Sequence, residues 1–151
     1  IASALEIPII GVSTLQLETY PFRNMNIPIC PIISTNSRDF ASALYAKEGA
    51  TWTTLAEPKL TNVEEILGRI PSESLVCGES SESINSRLDK FPKNKAIKTA
   101  LTSPSRSAFN LARLGFERLQ KGDTDDIATL QPTYLRPPSI SMPKSSGKKK
   151  N

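Results

Sequence analysis

Histidine is absent from the 151-residue chain. That removes every site built on an imidazole: His-x-x-x-His and His-Glu-x-x-His metal centres, and nucleophiles activated as Ser-His or Cys-His pairs. Glycine is sparse, with 7 residues. None falls into a Gly-x-Gly-x-x-Gly or Gly-x-x-x-x-Gly-Lys-Ser/Thr run, so no recognised phosphate cradle is visible. Only 2 cysteines occur, Cys30 and Cys77. They stand far apart and outside any Cys-x-x-Cys pair, which favours reduced thiols in a cytosol over a disulfide framework. No apolar run approaches the roughly 18 residues that cross a bilayer. The expectation is a soluble, cytoplasmic protein with no membrane contact, no metal and no cofactor of its own.

What is present is enough for one domain. At 38% hydrophobic residues, a chain of this length buries roughly two-thirds of the surface its unfolded form exposes. The formal charge of +4 is concentrated at one end: Lys144, Lys148, Lys149 and Lys150 lie in the last eight residues, where there is no acid. Setting those four aside leaves 15 of the 19 Lys and Arg against 15 Asp and Glu, so the body is neutral. Residues 139–151 therefore read as a basic tail, with a disordered terminus favoured over a dedicated nucleic-acid arm.

The chain opens on Ile1-Ala2-Ser3-Ala4-Leu5-Glu6, which reads as the tail of an element, and Ile9 to Val12 then reads as a short buried strand. There is no initiator Met and no basic leader, so the opening suggests a piece of a larger α/β protein. Ile29 to Ile33 reads as a second strand, placed at a sheet edge or strand start by Pro28 and Pro31. Phe40 to Ala46 and Thr51 to Leu55 flank Lys47-Glu48-Gly49-Ala50 and form a predicted hairpin, with Trp52 in cross-strand packing.

After the hairpin the period changes to that of a helix. Thr61-Asn62-Val63-Glu64 has the form of a capping box, and Val63, Ile66, Leu67 and Ile70 recur at i, i+3, i+4 and i+7 before Pro71 stops the run. Leu75-Val76-Cys77 is a short buried strand running into Gly78, and Ser81 to Leu88 can form a modest helix. The clearest element comes last. Ser103 is its predicted N-cap and Pro104 its first helical residue. Ala108, Leu111, Ala112, Gly115, Phe116 and Leu119 form its apolar face, and Lys121-Gly122 ends it. Helices alternating with short apolar strands imply an α/β layered architecture.

Three groups deserve a chemical reading, and each has a plainer one. Cys77-Gly78 could present a thiolate at a strand end, but no neighbouring positive charge lowers its pKa, so a buried structural Cys is favoured. Ser141-Met142-Pro143-Lys144 matches Ser-x-x-Lys, yet Pro143 opposes the helical turn that would bring Lys to Ser. Asp123-Thr124-Asp125-Asp126 lacks the Gly and distal Glu of a calcium loop and reads as a solvated loop or the first turn of a short helix through Leu130.

Several segments, in order, resemble one family. Leu5 to Leu15 is similar to a helix end, strand and Gly-Val-Ser-x-Leu segment, carried here by Gly11, Val12, Ser13 and Leu15. The hairpin ending in Ala43-Leu44-Tyr45, the strand closing on Gly78, and the helix Ala108 to Gly122 follow. The most specific match is the closing Gln131-Pro132-Thr133-Tyr134-Leu135-Arg136, a Pro-x-Tyr-Leu-Arg run represented by Pro132, Tyr134, Leu135 and Arg136. Together these resemble TsaB (YeaZ), the non-catalytic subunit of the bacterial machinery for threonylcarbamoyladenosine in transfer RNA.

The resemblance spans residues 1 to about 138 and covers only the C-terminal lobe of that family. It implies an actin-like, ribonuclease-H-like α/β lobe with a mixed sheet and flanking helices. It also implies that a first lobe, which would carry the main heterodimer surface, has no counterpart here. Where the family often has Ile-Asp-Ala-Arg-x-Gly-Glu-Val-Tyr, this chain reads Ile33-Ser34-Thr35-Asn36-Ser37-Arg38-Asp39-Phe40-Ala41. Ser34, Asn36 and Arg38 replace the usual Asp, Arg and Gly, and no role is carried over to them.

The implied function is a scaffold that supports a TsaD-like catalytic subunit, with a TsaE-like ATPase as a further partner and transfer RNA engaged indirectly. The signature residues are structural in this reading, and none is catalytic. A chain without histidine and without a phosphate loop suits that role, and a lobe lacking its neighbour is expected to expose apolar surface and form a homodimer. Two other classes stay open: an actin-like-fold enzyme or ATP-binding protein using carboxylates, and an RNA-binding module driven by the lysine tail.

Overall fold

The computed structural model describes residues 2–36, 38–49, 51–79, 84, 98–100 and 107–136. The predicted Ser103 and Pro104 start of the last helix, the Ser141–Lys144 match, the tail 139–151 and all but Ile84 of the 81–88 helix lie outside them.

A five-stranded mixed sheet organises the chain, in the order β3-β2-β1-β4-β5. Its strands are β1 (Ile29–Ser34), β2 (Phe40–Glu48), β3 (Thr51–Thr61), β4 (Leu75–Cys77) and β5 (Lys98–Thr99). β1 to β3 run antiparallel, whereas β1, β4 and β5 are parallel. The crossover from β3 to β4 passes through helix α2 (Val63–Arg69). Helix α1 (Thr14–Thr19) and a 3₁₀ turn, Tyr20–Phe22, precede the sheet, and helix α3 (Ala108–Gln120) follows it.

The central strands are apolar on both faces because both are covered. On one face Cys30, Ile32, Phe40, Leu44 and Val76 meet Val63, Ile66, Leu67 and Ile70 from α2, and Ile84 joins them. On the other, Ala41, Ala43 and Tyr45 pack under Leu15 of α1, and Ile29, Leu75 and Cys77 under Phe22 and Ile27. Val63, Ile66 and Leu67 of α2, and Ile70 at its C-cap, are at most 2% exposed. Each contributes about 1.5–3 kcal/mol of gross burial.

The α2 start corrects the capping-box expectation by one residue. Asn62 is the N-cap, its side chain accepting from the Glu65 N–H at 2.8 Å. The carboxylate of Glu65 turns to the hydroxyl of Thr61 at 2.5 Å and to Lys59, so no reciprocal bond to the cap forms. That Lys59 partner, together with Thr61, holds the Glu65 carboxyl below its ordinary range.

The hairpin is longer than predicted, with Glu48 paired to Thr51 and only two residues between the strands. Gly49 takes φ +63 there, a left-handed conformation that suits a two-residue turn. Trp52 pairs across to Lys47 and packs beneath the sheet. Two register shifts, between Ser42 and Leu44 and between Leu44 and Tyr45, give β3 an extra residue each time. These bulges and Pro58 interrupt an 11-residue edge strand that would otherwise invite pairing.

β1 is central, so of the two placements expected from Pro28 and Pro31 the sheet edge is corrected and the strand start holds, with Pro28 directly before Ile29. The ladder to β2 joins Ile29 to Tyr45 and Ile32 to Ser42 but skips Cys30 and Pro31. The parallel side is intact, with Pro31 opposite Cys77. A proline lacks one donor only, so a gap on one side of the strand accommodates it.

The opening segment is also different from expectation. Ile9 to Val12 is not a strand; a single bridge from Ile9 to Asp125 is its sole ladder contact among the described residues. The segment is half-buried, and helix α1 begins three residues after Gly11. Asp123 to Leu130 does not form a helix. Asp126 caps a turn, its carboxylate accepting from the Ala128 N–H and its carbonyl from those of Thr129 and Leu130.

Helix α3 ends at Lys121-Gly122 as predicted, with Gly122 at φ +69. Its described start is Ala108, with Ser107 at the N-cap position but making no side-chain cap bond. None of its residues is buried, those of its apolar face included. It packs on α1 and the Tyr20–Phe22 turn through half-buried Leu114, Glu117 and Arg118 instead. No helix among the described residues is long and apolar enough to cross a membrane.

Candidate functional site: a seam joining the two ends of the chain

Of the residues singled out by sequence, Gly11, Ser13, Leu15, Leu135 and Arg136 come together along a seam where segments 9–15, 39–45, 118–125 and 130–136 meet. At its centre the Gly11 N–H donates to Asp125 Oδ2 at 2.7 Å. The Arg118 guanidinium donates to the Gly11 carbonyl at 2.6 Å and grips Asp123 with two bonds, at 2.7 and 2.9 Å. Its contact with Asp125 is longer, at 3.4 Å. This planar fork suits a guanidinium and fixes both the helix end and the opening segment. The bond to Asp123 holds Arg118 firmly protonated and draws the Asp123 carboxyl below its ordinary range.

Gly11 is short of space as well. A Cβ added there would lie 2.7 Å from Leu130 Cδ1. Val12 is half-buried, and Ser13 is the N-cap of α1 but makes no side-chain cap bond. Its hydroxyl reaches Tyr45, whose phenol is pushed up by burial, a shift that the Ser13 bond partly offsets. Leu15 is buried on Ala41, Ala43 and Tyr45, and Leu135 packs against the same group. The signature leucines at the two ends of the chain therefore share one apolar cluster.

Arg136 closes the seam by pairing with Asp39 at 2.6 Å. Asp39 sits in the turn between β1 and β2, where Asn36 Oδ1 accepts from the Arg38 and Asp39 N–H groups at 2.8 and 2.7 Å. This is the segment in which the sequence departs from the family pattern. Asn36 and Asp39 build the turn, and Arg38 is exposed. Pro132 is exposed and Tyr134 is 80% exposed, so neither is brought into the seam. Gly78 stands apart, at the end of β4.

Asp125, Arg118 and Asp39 carry the seam but were not predicted to. An acidic loop and a helix end hold no local signal for partners about a hundred positions away, and pairing within each local segment was all the pattern could suggest.

The chemistry available to this arrangement is structural. Asp123 and Asp125 are engaged by Arg118, so they do not form an open carboxylate pair. No cluster of three metal-ligating side chains occurs among the described residues. Cys30 and Cys77 lie in adjacent strands but face opposite sides of the sheet and are free thiols. Burial pushes Cys30 up to about 12 and raises Cys77 as well, so neither supplies a thiolate near neutral pH. A hollow beneath β2, lined by Cys30, Ser42, Arg69 and Ile70, has a volume of about 10 Å³, enough for about one water molecule.

Comparison with solved structures gives the architecture a precedent. YeaZ from Pseudomonas aeruginosa superposes with a TM-score of 0.60 at 16% identity, over 89% of this chain and 62% of that one. The fold is YeaZ-like. A second structure, described as an uncharacterized protein with similarity to peptidase YeaZ from Pseudomonas aeruginosa, matches with a TM-score of 0.62 at the same 16% identity and the same coverage. The chain thus spans less than two-thirds of the length of these YeaZ-like neighbours. No family model and no curated protein matches it by sequence.

Proposed function

We propose that the protein is a non-catalytic scaffold subunit of the machinery that makes threonylcarbamoyladenosine in transfer RNA, supporting a TsaD-like catalytic subunit. The observation that carries this reading is the seam, set in a YeaZ-like fold. Gly11, Leu15, Leu135 and Arg136 act in packing and pairing that join the two ends of the chain, and their polar neighbours are consumed by one another. A surface built this way holds a shape for a partner, and the partner supplies the chemistry.

In this reading the subunit works in the cytoplasm, takes no cofactor, meets transfer RNA only through the complex, and has a TsaE-like ATPase as a further associate. The word peptidase in a neighbour's description belongs to that protein. Histidine-ligated metal, the commonest route to peptidase chemistry in a metalloenzyme, has no ligand in this sequence.

Co-purification of the tagged protein with a TsaD-like subunit tests the proposal. A stoichiometric complex, together with modified transfer RNA in reconstitution that drops when the protein is omitted, is the expected result. Failure to bind, with modification unchanged by omission, overturns it. Tight binding of ATP·Mg by the chain alone favours the enzyme reading instead. Binding of RNA that vanishes on deletion of residues 144–151 favours the tail-driven one.

A further inference from the structure

Two arms of the chain, residues 2–11 and 107–130, lie outside the buried core. None of their residues is buried, and Phe109 and Phe116 of α3 are 68% and 56% exposed. What holds the arms is mostly one another. The Asp125 N–H donates to the Ile9 carbonyl at 3.0 Å, the Gly11 N–H to Asp125 Oδ2 at 2.7 Å, and the Arg118 guanidinium to the Gly11 carbonyl at 2.6 Å. The Leu130 side chain lies directly over Gly11.

Ties to the rest of the molecule are few. Among the described residues, 2–11 make no hydrogen bond beyond themselves and 118–125. Residues 107–130 have a single one to the sheet-bearing body, from the Tyr20 hydroxyl to Glu117 Oε1 at 2.7 Å, beside the half-buried packing of α3 on α1. Firm attachment begins just past each arm. Ser13 bonds Tyr45 and Leu15 is buried on one side; on the other, Leu135 packs into the same cluster and Arg136 pairs with Asp39.

We propose that the two arms form a clasp that opens as one cooperative unit while the sheet, α1 and α2 stay folded. Their shared bonds are the reason. When α3 leaves Tyr20, Arg118 and Asp125 go with it, and residues 2–11 keep no hydrogen bond to the body. When residues 2–11 leave first, α3 and its loop keep only the bond from Tyr20. Neither arm is held by itself, so the opening of one carries the other.

Burial decides which part opens. The apolar side chains of β1, β2, β4 and α2 remain packed when the clasp is open, so this opening gives up little of the hydrophobic term and lies below global unfolding in free energy. It frees both arms together and bares α1 and the Tyr20–Phe22 turn. The clasp does not depend on the scaffold function, and failure of either leaves the other standing.

Amide hydrogen exchange of the full chain in low urea, below the unfolding transition, tests the proposal. In the wild type the amides of Gly11, Asp125 and α3 are expected to converge on one urea dependence, shallower than that of β1 and β2 because less surface is exposed. Two variants separate the units. Tyr20→Phe removes only the bond to Glu117, yet it should speed exchange at Gly11 as well as in α3, by about two- to tenfold. Ile66→Val loosens the core under α2 and should speed β1 and β2 by about two- to tenfold while leaving Gly11 and α3 unchanged. A single urea dependence shared by α3 and β1 overturns the proposal, as does a Gly11 amide indifferent to Tyr20→Phe. Exchange in α3 that rises with Ile66→Val in step with β1 overturns it too.

Discussion

The Gly11 N–H and the Asp125 carboxylate, 114 positions apart in the chain, meet at 2.7 Å. Arg118 contacts both residues, and the bond joins the opening segment to the loop after the last helix. Asp125→Ala removes an acceptor from a partly exposed site and is expected to cost about 1–2 kcal/mol, whereas Asp125→Asn keeps an oxygen for Gly11 and costs less. Urea titration measures the difference, and amide exchange at Gly11 should accelerate in the alanine variant. Equal stability in all three proteins would count against the seam as a structural tie.

Glycine substitutions should separate strained from unstrained positions. Gly78 has φ +101, and a Cβ there would lie 2.4 Å from the Ile32 carbonyl oxygen, a backbone atom that cannot swing away. Gly78→Ala is therefore expected to destabilise by about 2–3 kcal/mol or more. Gly68 lies in α2 with nothing within 4 Å. Gly68→Ala should stabilise by about 0.5–1 kcal/mol through helix propensity and reduced unfolded-state entropy. Thermal melts of the two variants should move in opposite directions.

Acid should loosen the end of α3. The Asp123 carboxyl is drawn below its ordinary 3.8 by the Arg118 bond. A depressed folded pKa gives stability that is present above the unfolded value and is lost as pH falls through the folded one. Stability is thus expected to be flat above about pH 5 as far as this group is concerned, and to fall below pH 4. Asp123→Asn should flatten that acid limb; a profile identical to wild type would show that the pair adds nothing.

The two thiols should be silent in the folded protein. Burial raises both, Cys30 to about 12. A disulfide reagent at neutral pH is expected to modify neither until denaturant is added, and then both at the rate of unfolding. Fast labelling under native conditions would mean that the sheet opens readily near β1 and β4.

Leu67 is fully buried between α2 and the sheet. Leu67→Ala should cost about 2–5 kcal/mol, the range for a large-to-small change in a packed core. Leu55→Ala, at the bulged and exposed part of β3, should stay within about 0.5 kcal/mol. Denaturant midpoints of the two variants give the contrast directly.

Local pattern reached as far as elements whose partners lie close in sequence. The i, i+3, i+4, i+7 run of Val63, Ile66, Leu67 and Ile70 predicts α2 and its buried face because three-residue and four-residue spacings are properties of the helix itself. The Phe40–Thr61 hairpin is legible for a similar reason: its two strands are adjacent, and Gly49 marks the turn. Pro31 misled because local rules count a missing donor without knowing which neighbour the strand faces. The α3 stripe is legible as an apolar face, but spacing alone does not say whether that face turns toward the sheet or away from it.

The sequence by itself determined the absence of imidazole chemistry, the α/β alternation, the α2 core and the hairpin, all of which depend on composition or on residues a few positions apart. Only the tertiary structure decided that β1 is central, that α3 points Phe109 and Phe116 outward, and that Gly11, Leu15, Asp39, Asp125, Leu135 and Arg136 converge on one seam. The reason is physical. A hydrogen bond such as Gly11 to Asp125 selects one partner out of the whole chain, and the choice follows from how the sheet and helices pack once they have formed.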